Sequence, residues 1–110
     1  MSEETSYPKM FLKRFGSRIE IDFGNEKMSP EQNVKAVKLI SCLSQLIDEF
    51  IRATTKHPMP FHTTHEGYAV VAEELDEVWD AVRSNQKVAA VKEAIETSAM
   101  GLRFAYDLGE

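Results

Sequence analysis

Val70-Val71-Ala72-Glu73-Glu74-Leu75-Asp76-Glu77-Val78-Trp79-Asp80-Ala81-Val82 repeats its apolar residues every three to four positions, the period of a helix with one buried face. At about 100° per residue, Val71, Leu75, Val78 and Val82 fall within about 60° of arc and form the expected core stripe. Glu66, Glu73, Asp76 and Asp80 point roughly the opposite way, toward water. Glu74 and Glu77 do not: they fall on the flank of the stripe, interleaved with Val70 and Ala81. Carboxylates set among small apolar residues are costly to bury unless something pairs with them.

The pattern has an echo in Glu93-Ala94-Ile95-Glu96. Here the expected stripe is Val91, Ile95, Ser98, Leu102 and Ala105, yet Glu93 and Glu96 share the other side with Ala89, Met100 and Phe104. A helix apolar on nearly all sides is expected to be buried, so two acids on it need a partner. Glu74 with Glu77, and Glu93 with Glu96, are pairs three residues apart. On two adjacent helices they would offer four oxygen ligands to one hard cation, the donor set that magnesium takes. The plain alternative for either pair is a solvated helix face.

The chain has 110 residues, of which 43% are hydrophobic and 28% charged, enough for one domain with a modest core and a tendency to gain stability by association. The net charge of −5 and pI near 5.2, without a cluster of Lys and Arg, argue against nucleic acid as a partner. They leave room for a small anion delivered with a metal. The single Cys42 has no internal disulfide partner and falls in a helical pattern, so it is expected to be a small core residue. No segment has the pattern of a signal peptide or of a membrane span, and the expected location is the cytoplasm.

Residues 1–28 are expected to be an arm, partly extended, and residues 29–110 a helical domain. Ser2 to Pro8 is polar and expected to fray. Met10, Phe11, Leu12 and Phe15 make a short apolar cluster closed by Gly16, and Arg18-Ile19-Glu20-Ile21-Asp22-Phe23 then alternates with a period of two before Gly24-Asn25. That predicts a short strand, lying along the helices or pairing with a copy in another subunit. Ser29, Pro30 and Gln32 open the first helix with a capping box. Val34, Val37, Ile40, Leu43, Ile47, Phe50 and Ile51 carry it to about Thr55, before His57-Pro58-Met59-Pro60. Its polar residues Asn33, Lys35, Lys38, Gln45, Asp48 and Glu49 are by default a solvated face, with reach to a ligand as the alternative.

Thr63 and Glu66 form a second capping box, which accounts for Glu66 without chemistry. His62-Thr63-Thr64-His65-Glu66 lacks the zinc-protease order, in which Glu directly follows the first His. His57, His62 and His65 are therefore read first as structural or solvated. The second helix is expected from about His65 to Arg83, with Trp79 either a core or interface aromatic or a stacking surface for a nucleobase. Ser84 to Lys87 turns the chain, and the third helix runs from about Lys87 to Leu108, ending at Gly109. Arg103, two turns after Glu96 on the same face, either clamps phosphate or neutralises Glu96 and Asp107.

Glu73-Glu74-x-x-Glu77, an intervening run of 15 residues (78–92), and Glu93-x-x-Glu96 resemble the EExxE, spacer, ExxD signature of the all-α nucleoside triphosphate pyrophosphohydrolases, the MazG-like and dimeric dUTPase-like superfamily. His65-Glu66-Gly67-Tyr68-Ala69-Val70 and Ala99-Met100-Gly101-Leu102-Arg103-Phe104 look like the small MazG-like proteins of phages and bacteria. The resemblance covers roughly residues 30–108. Glu96 departs from it, standing where the family has Asp and adding one methylene of reach.

The resemblance implies an all-α, MazG-like bundle of three main helices with a short N-terminal extended arm, completed by oligomerisation as a homodimer or homotetramer. It implies Mg2+, with Mn2+ as a substitute, held by Glu74, Glu77, Glu93 and Glu96, and Glu73, Glu74 and Glu77 as catalytic acids. The expected reaction hydrolyses a nucleoside triphosphate to a nucleoside monophosphate and pyrophosphate. Lys87, Lys92 and Arg103 are the candidate phosphate contacts and Trp79 the candidate base-stacking residue. Two rivals stand beside this reading: a non-catalytic helical association or regulatory module, and a structural di-metal carboxylate bundle. The second would want Glu-x-x-His pairs, and neither acidic motif has a His three residues on.

Overall fold

The computed structural model describes residues 11–22 and 27–110. Two strands, β1 (Phe11–Phe15) and β2 (Arg18–Asp22), precede three helices, α1 (Pro30–Lys56), α2 (Thr64–Arg83) and α3 (Lys87–Leu108). The chain divides into two compact units, residues 1–40 and 41–110, with α1 crossing the boundary. No helix of the described residues is long and apolar enough to cross a membrane. Expectations for Ser2 to Pro8, Met10, Phe23 and Gly24-Asn25 lie outside the described residues.

In the first unit the expected single strand has a partner within the chain. β1 and β2 pair antiparallel, with Phe11 opposite Asp22 and Phe15 opposite Arg18. Gly16 opens the two-residue turn at φ 60°, the backbone that such a turn asks of its first central residue. Lys13 pairs with Asp22 at 2.6 Å and Arg18 with Glu20 at 3.1 Å, all at the surface. β1 escapes the alternation rule because its residues are exposed on both faces, Phe11, Leu12 and Phe15 included. Ahead of α1, the Ser29 hydroxyl accepts from Gln32 N at 3.1 Å, and Ser29 N donates to Gln32 Oε1 at 2.8 Å, the complete capping box.

The second unit is built on a helical hairpin of α2 and α3. Asn85, at φ 57°, takes the left-handed position that ends α2. Gln86 N donates to Ala81 O and Asn85 N to Val82 O, the two bonds of a Schellman motif. At the other end of α2, Glu66 N donates to the Thr63 hydroxyl at 3.1 Å. The Glu66 carboxylate accepts from His62 N instead of Thr63 N, so only half of the expected second box forms. The core gathers Ala53 from α1, Phe61 from the connection, and Ala99 and Met100 from α3, with Leu46, Val70, Val71, Phe104 and Leu108 packed against them. Phe50 meets Tyr106 edge-on at 5.2 Å, bringing α1 to α3.

The seam follows the expected stripes only in part, with Val71 packed on the core and Val78 and Ile95 half-buried. On α2 the buried residues are Gly67 and Ala81, while Leu75 is 57% and Val82 48% exposed. On α3 they are Ala99, Met100 and Arg103, and Val91 and Leu102 face outward. Small residues decide the face: a Cβ on Gly67 would lie 2.5 Å from Phe104 Cδ2, so the helices close where side chains are least bulky. Leu75 and Val82 of the α2 stripe and Val91 and Leu102 of the α3 stripe are turned outward while Val71 packs on the core, and α3 is not buried on all sides. Cys42 is likewise exposed, where a core position was expected.

Candidate metal centre

Near the middle of α2 the seam carries acids. Glu74 and Glu77 extend from α2 and Glu93 from α3, and one carboxylate oxygen of each lies within 4.8 Å of the others. Three residues of separation along α2 puts Glu74 and Glu77 one turn apart, and the antiparallel hairpin sets Glu93 across from them. Glu74 Oε2 and Glu93 Oε2 are inaccessible to solvent and have no hydrogen-bond partner. Burial is the first cause that pushes the Glu74 carboxyl above its ordinary range, and the charges of Glu77, Glu96, Glu93 and Glu73 add to it. The Glu93 carboxyl is raised by burial, then by the charges of Glu96 and Glu77 and by a side-chain hydrogen bond with Glu77, with Lys92 pulling the other way.

Three of the four expected ligands thus meet. Glu96, the fourth, is not within the group of mutually close oxygens. It lies along α3 toward α1, lines two clefts, and has Lys92 Nζ at 4.0 Å. Glu73 is exposed and lines the cleft that also reaches Glu74. Lys87 begins α3 at the surface, and neither it nor Trp79, 59% exposed on α2, lines either cleft.

Arg103, one of the candidate phosphate contacts, lines the cleft and is built into the fold. It is 4% exposed, and its Nη2 donates to His57 O at 2.7 Å and Met59 O at 2.6 Å while Nε donates to Asp107 Oδ2 at 3.1 Å. Asp107 in turn accepts from Phe61 N at 2.9 Å. The guanidinium also lies 5.1 Å from the Phe61 ring centre. Nε and Nη2 hold residues 57–61 against α3, the structural side of the two roles open in the sequence, with Asp107 and not Glu96 as the acid it pairs with.

Two residues of α1 enter the site: Glu49, for which the sequence left reach to a ligand open, and Arg52, which it did not single out. On α1, Arg52 Nε donates to Glu49 Oε1 at 2.9 Å and Nη2 to Oε2 at 2.6 Å, a two-pronged pair. Arg52 holds the Glu49 carboxyl below its ordinary range. Glu49, and more weakly Glu96 and Glu74, hold the Arg52 guanidinium's proton more tightly. Glu49, Arg52 and Glu96 are shared by the two clefts. One, of about 420 Å³, lies between α1, α2 and α3 and reaches Glu74. The other, of about 440 Å³, lies between α1 and the first half of α3. The only sequence signal was an opposite-charge pair three residues apart, which also describes any solvated helix face.

The arrangement can hold a hard divalent cation: all three close groups are carboxylates, and two of their oxygens lack a partner. Comparison of the chain with protein-family models, curated proteins and solved structures finds no match.

Proposed function

We propose that this chain is a magnesium-dependent nucleoside triphosphate pyrophosphohydrolase of the MazG-like kind, with its metal centre on the α2–α3 seam. The observation that carries the reading is the pair of buried, partnerless oxygens on Glu74 and Glu93, facing each other with Glu77. Like charges that close, partly withdrawn from water, are unfavourable unless a proton or a cation sits among them. Glu74, Glu77 and Glu93 would hold Mg2+, or Mn2+ in its place, with substrate oxygens and water completing the shell. When bound, the metal supplies neutralisation of phosphate charge and a bound water that ionises more readily.

Glu73, exposed at the cleft mouth beside Glu74, is placed to orient a water. Glu96 lies beyond the close group and is assigned to the outer edge of the site, where it balances Lys92 and Arg52. The reaction in this reading adds water between the α and β phosphates and releases a nucleoside monophosphate and pyrophosphate. Association into a dimer or tetramer belongs to the same proposal, since Leu75, Trp79 and Val82 on α2 and Val91 and Leu102 on α3 face outward in the single chain.

The rival reading, a non-catalytic association module, draws support from the same exposed apolar residues. It leaves protons alone, with no cation, to relieve the close acids Glu74, Glu77 and Glu93. The test is pyrophosphate release from a panel of ordinary and modified nucleoside triphosphates, with magnesium or with chelator, for the wild type and Glu74→Ala. Magnesium-dependent release that the substitution abolishes is the expected result. A folded wild type that cleaves no member of the panel transfers the lead to the association module.

A further inference from the structure

Resting on that reading of the metal centre, we propose that Arg52, with Lys56 one turn further along α1, is the side of the site that binds phosphate oxygens, and that Glu49 occupies Arg52 until those oxygens arrive. Arg52, Lys56, His57 and Arg103 line the cleft that reaches Glu74. Arg103 is 4% exposed, with Nε on Asp107 and Nη2 on two carbonyls. Lys87, at the start of α3, does not line the cleft. The exposed Lys and Arg side chains of this cleft, Arg52 and Lys56, both belong to α1.

Arg52 has the chemistry for the task. Its guanidinium already grips two oxygens of a planar acid at 2.9 and 2.6 Å, and the same fork matches two oxygens of a phosphate. The side chain is 57% exposed, so it can turn from Glu49 without unpacking the core. Glu49 is nearly buried at 16% and stays in the cleft wall. The two clefts that meet at Glu49, Arg52 and Glu96 place this pair where a ligand extending from one to the other would pass. The cleft lining is rich in acids, among them Glu49, Glu66, Glu73, Glu74 and Glu96, so a bare oxyanion is repelled and one carried by a divalent cation is admitted. The ligand class is therefore a metal-bound di- or triphosphate, and inorganic pyrophosphate is its smallest probe.

The experiment has two independent readouts. Mn2+ binding without phosphate is followed by loss of the free-ion EPR signal. Magnesium pyrophosphate binding to magnesium-saturated protein is followed by calorimetry. Arg52→Ala is expected to weaken pyrophosphate binding about tenfold or more, with Mn2+ binding unchanged or tighter because a neighbouring positive charge is gone. Arg52→Lys, which keeps charge and loses the fork, falls between them, and Glu49→Gln, which releases the guanidinium, tightens pyrophosphate binding. Pyrophosphate binding unchanged in Arg52→Ala overturns the assignment. So does equal loss in Arg52→Ala and Glu49→Gln, which would make the pair a structural brace. A wild type that takes Mn2+ but no magnesium pyrophosphate also overturns it while leaving the metal centre standing, whereas a wild type that takes no Mn2+ removes the metal centre and this proposal together.

Discussion

Helix α3 buries charge at two places, and it treats them differently. At its C-terminal end Arg103 and Asp107 are almost wholly enclosed, and their bonds to each other, to His57 O, Met59 O and Phe61 N leave little unmet. About three to four turns earlier Glu93 faces Glu74, each with one buried oxygen that no hydrogen bond reaches. Burial of charge costs the same physics in both places. A buried charge with a full set of partners is holding the fold, and one without them marks where a ligand is missing from the accounting.

The largest effect should come from breaking the satisfied end. Arg103→Ala leaves Asp107 buried without its cation and frees two carbonyls of the 57–61 connection, a loss of about 3–5 kcal/mol in urea unfolding. Next is the close approach of α2 to α3 beside that end. Gly67→Ala puts a methyl 2.5 Å from Phe104 Cδ2 and should cost about 1–3 kcal/mol by the same measurement, without altering Mn2+ binding.

Substitution at the unsatisfied end should have the opposite sign. In chelator at neutral pH, Glu74→Gln removes one of the repelling charges and should raise the thermal midpoint modestly above wild type. The pH dependence sharpens this. The Glu74 and Glu93 carboxyls are raised from an ordinary value of 4.5, so the folded chain keeps their protons to higher pH than the unfolded chain does. Their contribution to stability is complete below that ordinary value and is lost as pH rises through the raised folded values. Glu49, lowered by Arg52, works the other way, its contribution present above 4.5 and lost as pH falls through its lowered folded value. The difference between wild type and Glu74→Gln isolates the first effect: the metal-free wild type should lose more midpoint between about pH 4.5 and 7 than the variant does. Parallel profiles would count against the strained-acid account.

Much of this contrast was legible in the sequence, and the illegible part has a physical cause. Ser29-Pro30 with Gln32, and Thr63 with Glu66, gave the helix starts because capping is a local exchange of hydrogen bonds. Glu74 stood out from Glu73 and Asp76 because it fell beside Val70 and Ala81. The seam itself was misjudged, since weighing side chains by bulk selects Leu75 and Val82, while close approach of two helices selects Gly67, Ala81 and Ala99. β1 carried no alternation to find, because a two-stranded hairpin exposed on both faces needs none. Arg52 was invisible for a related reason: an i, i+3 partner for Glu49 on a long helix looks the same whether water or a cleft lies beyond it. Glu96 matched the spacing yet stands outside the close group of oxygens, which only the placement of α1 beside it makes plain.

The most direct test of the central claim is the thermal midpoint of the wild type and of Glu93→Gln at neutral pH, each with and without Mg2+. If the acids on the seam are a metal centre, Mg2+ raises the wild-type midpoint by several degrees, about 1–3 kcal/mol of linkage at saturating metal, and leaves Glu93→Gln where it was. A wild-type midpoint indifferent to Mg2+ and Mn2+ alike would contradict it.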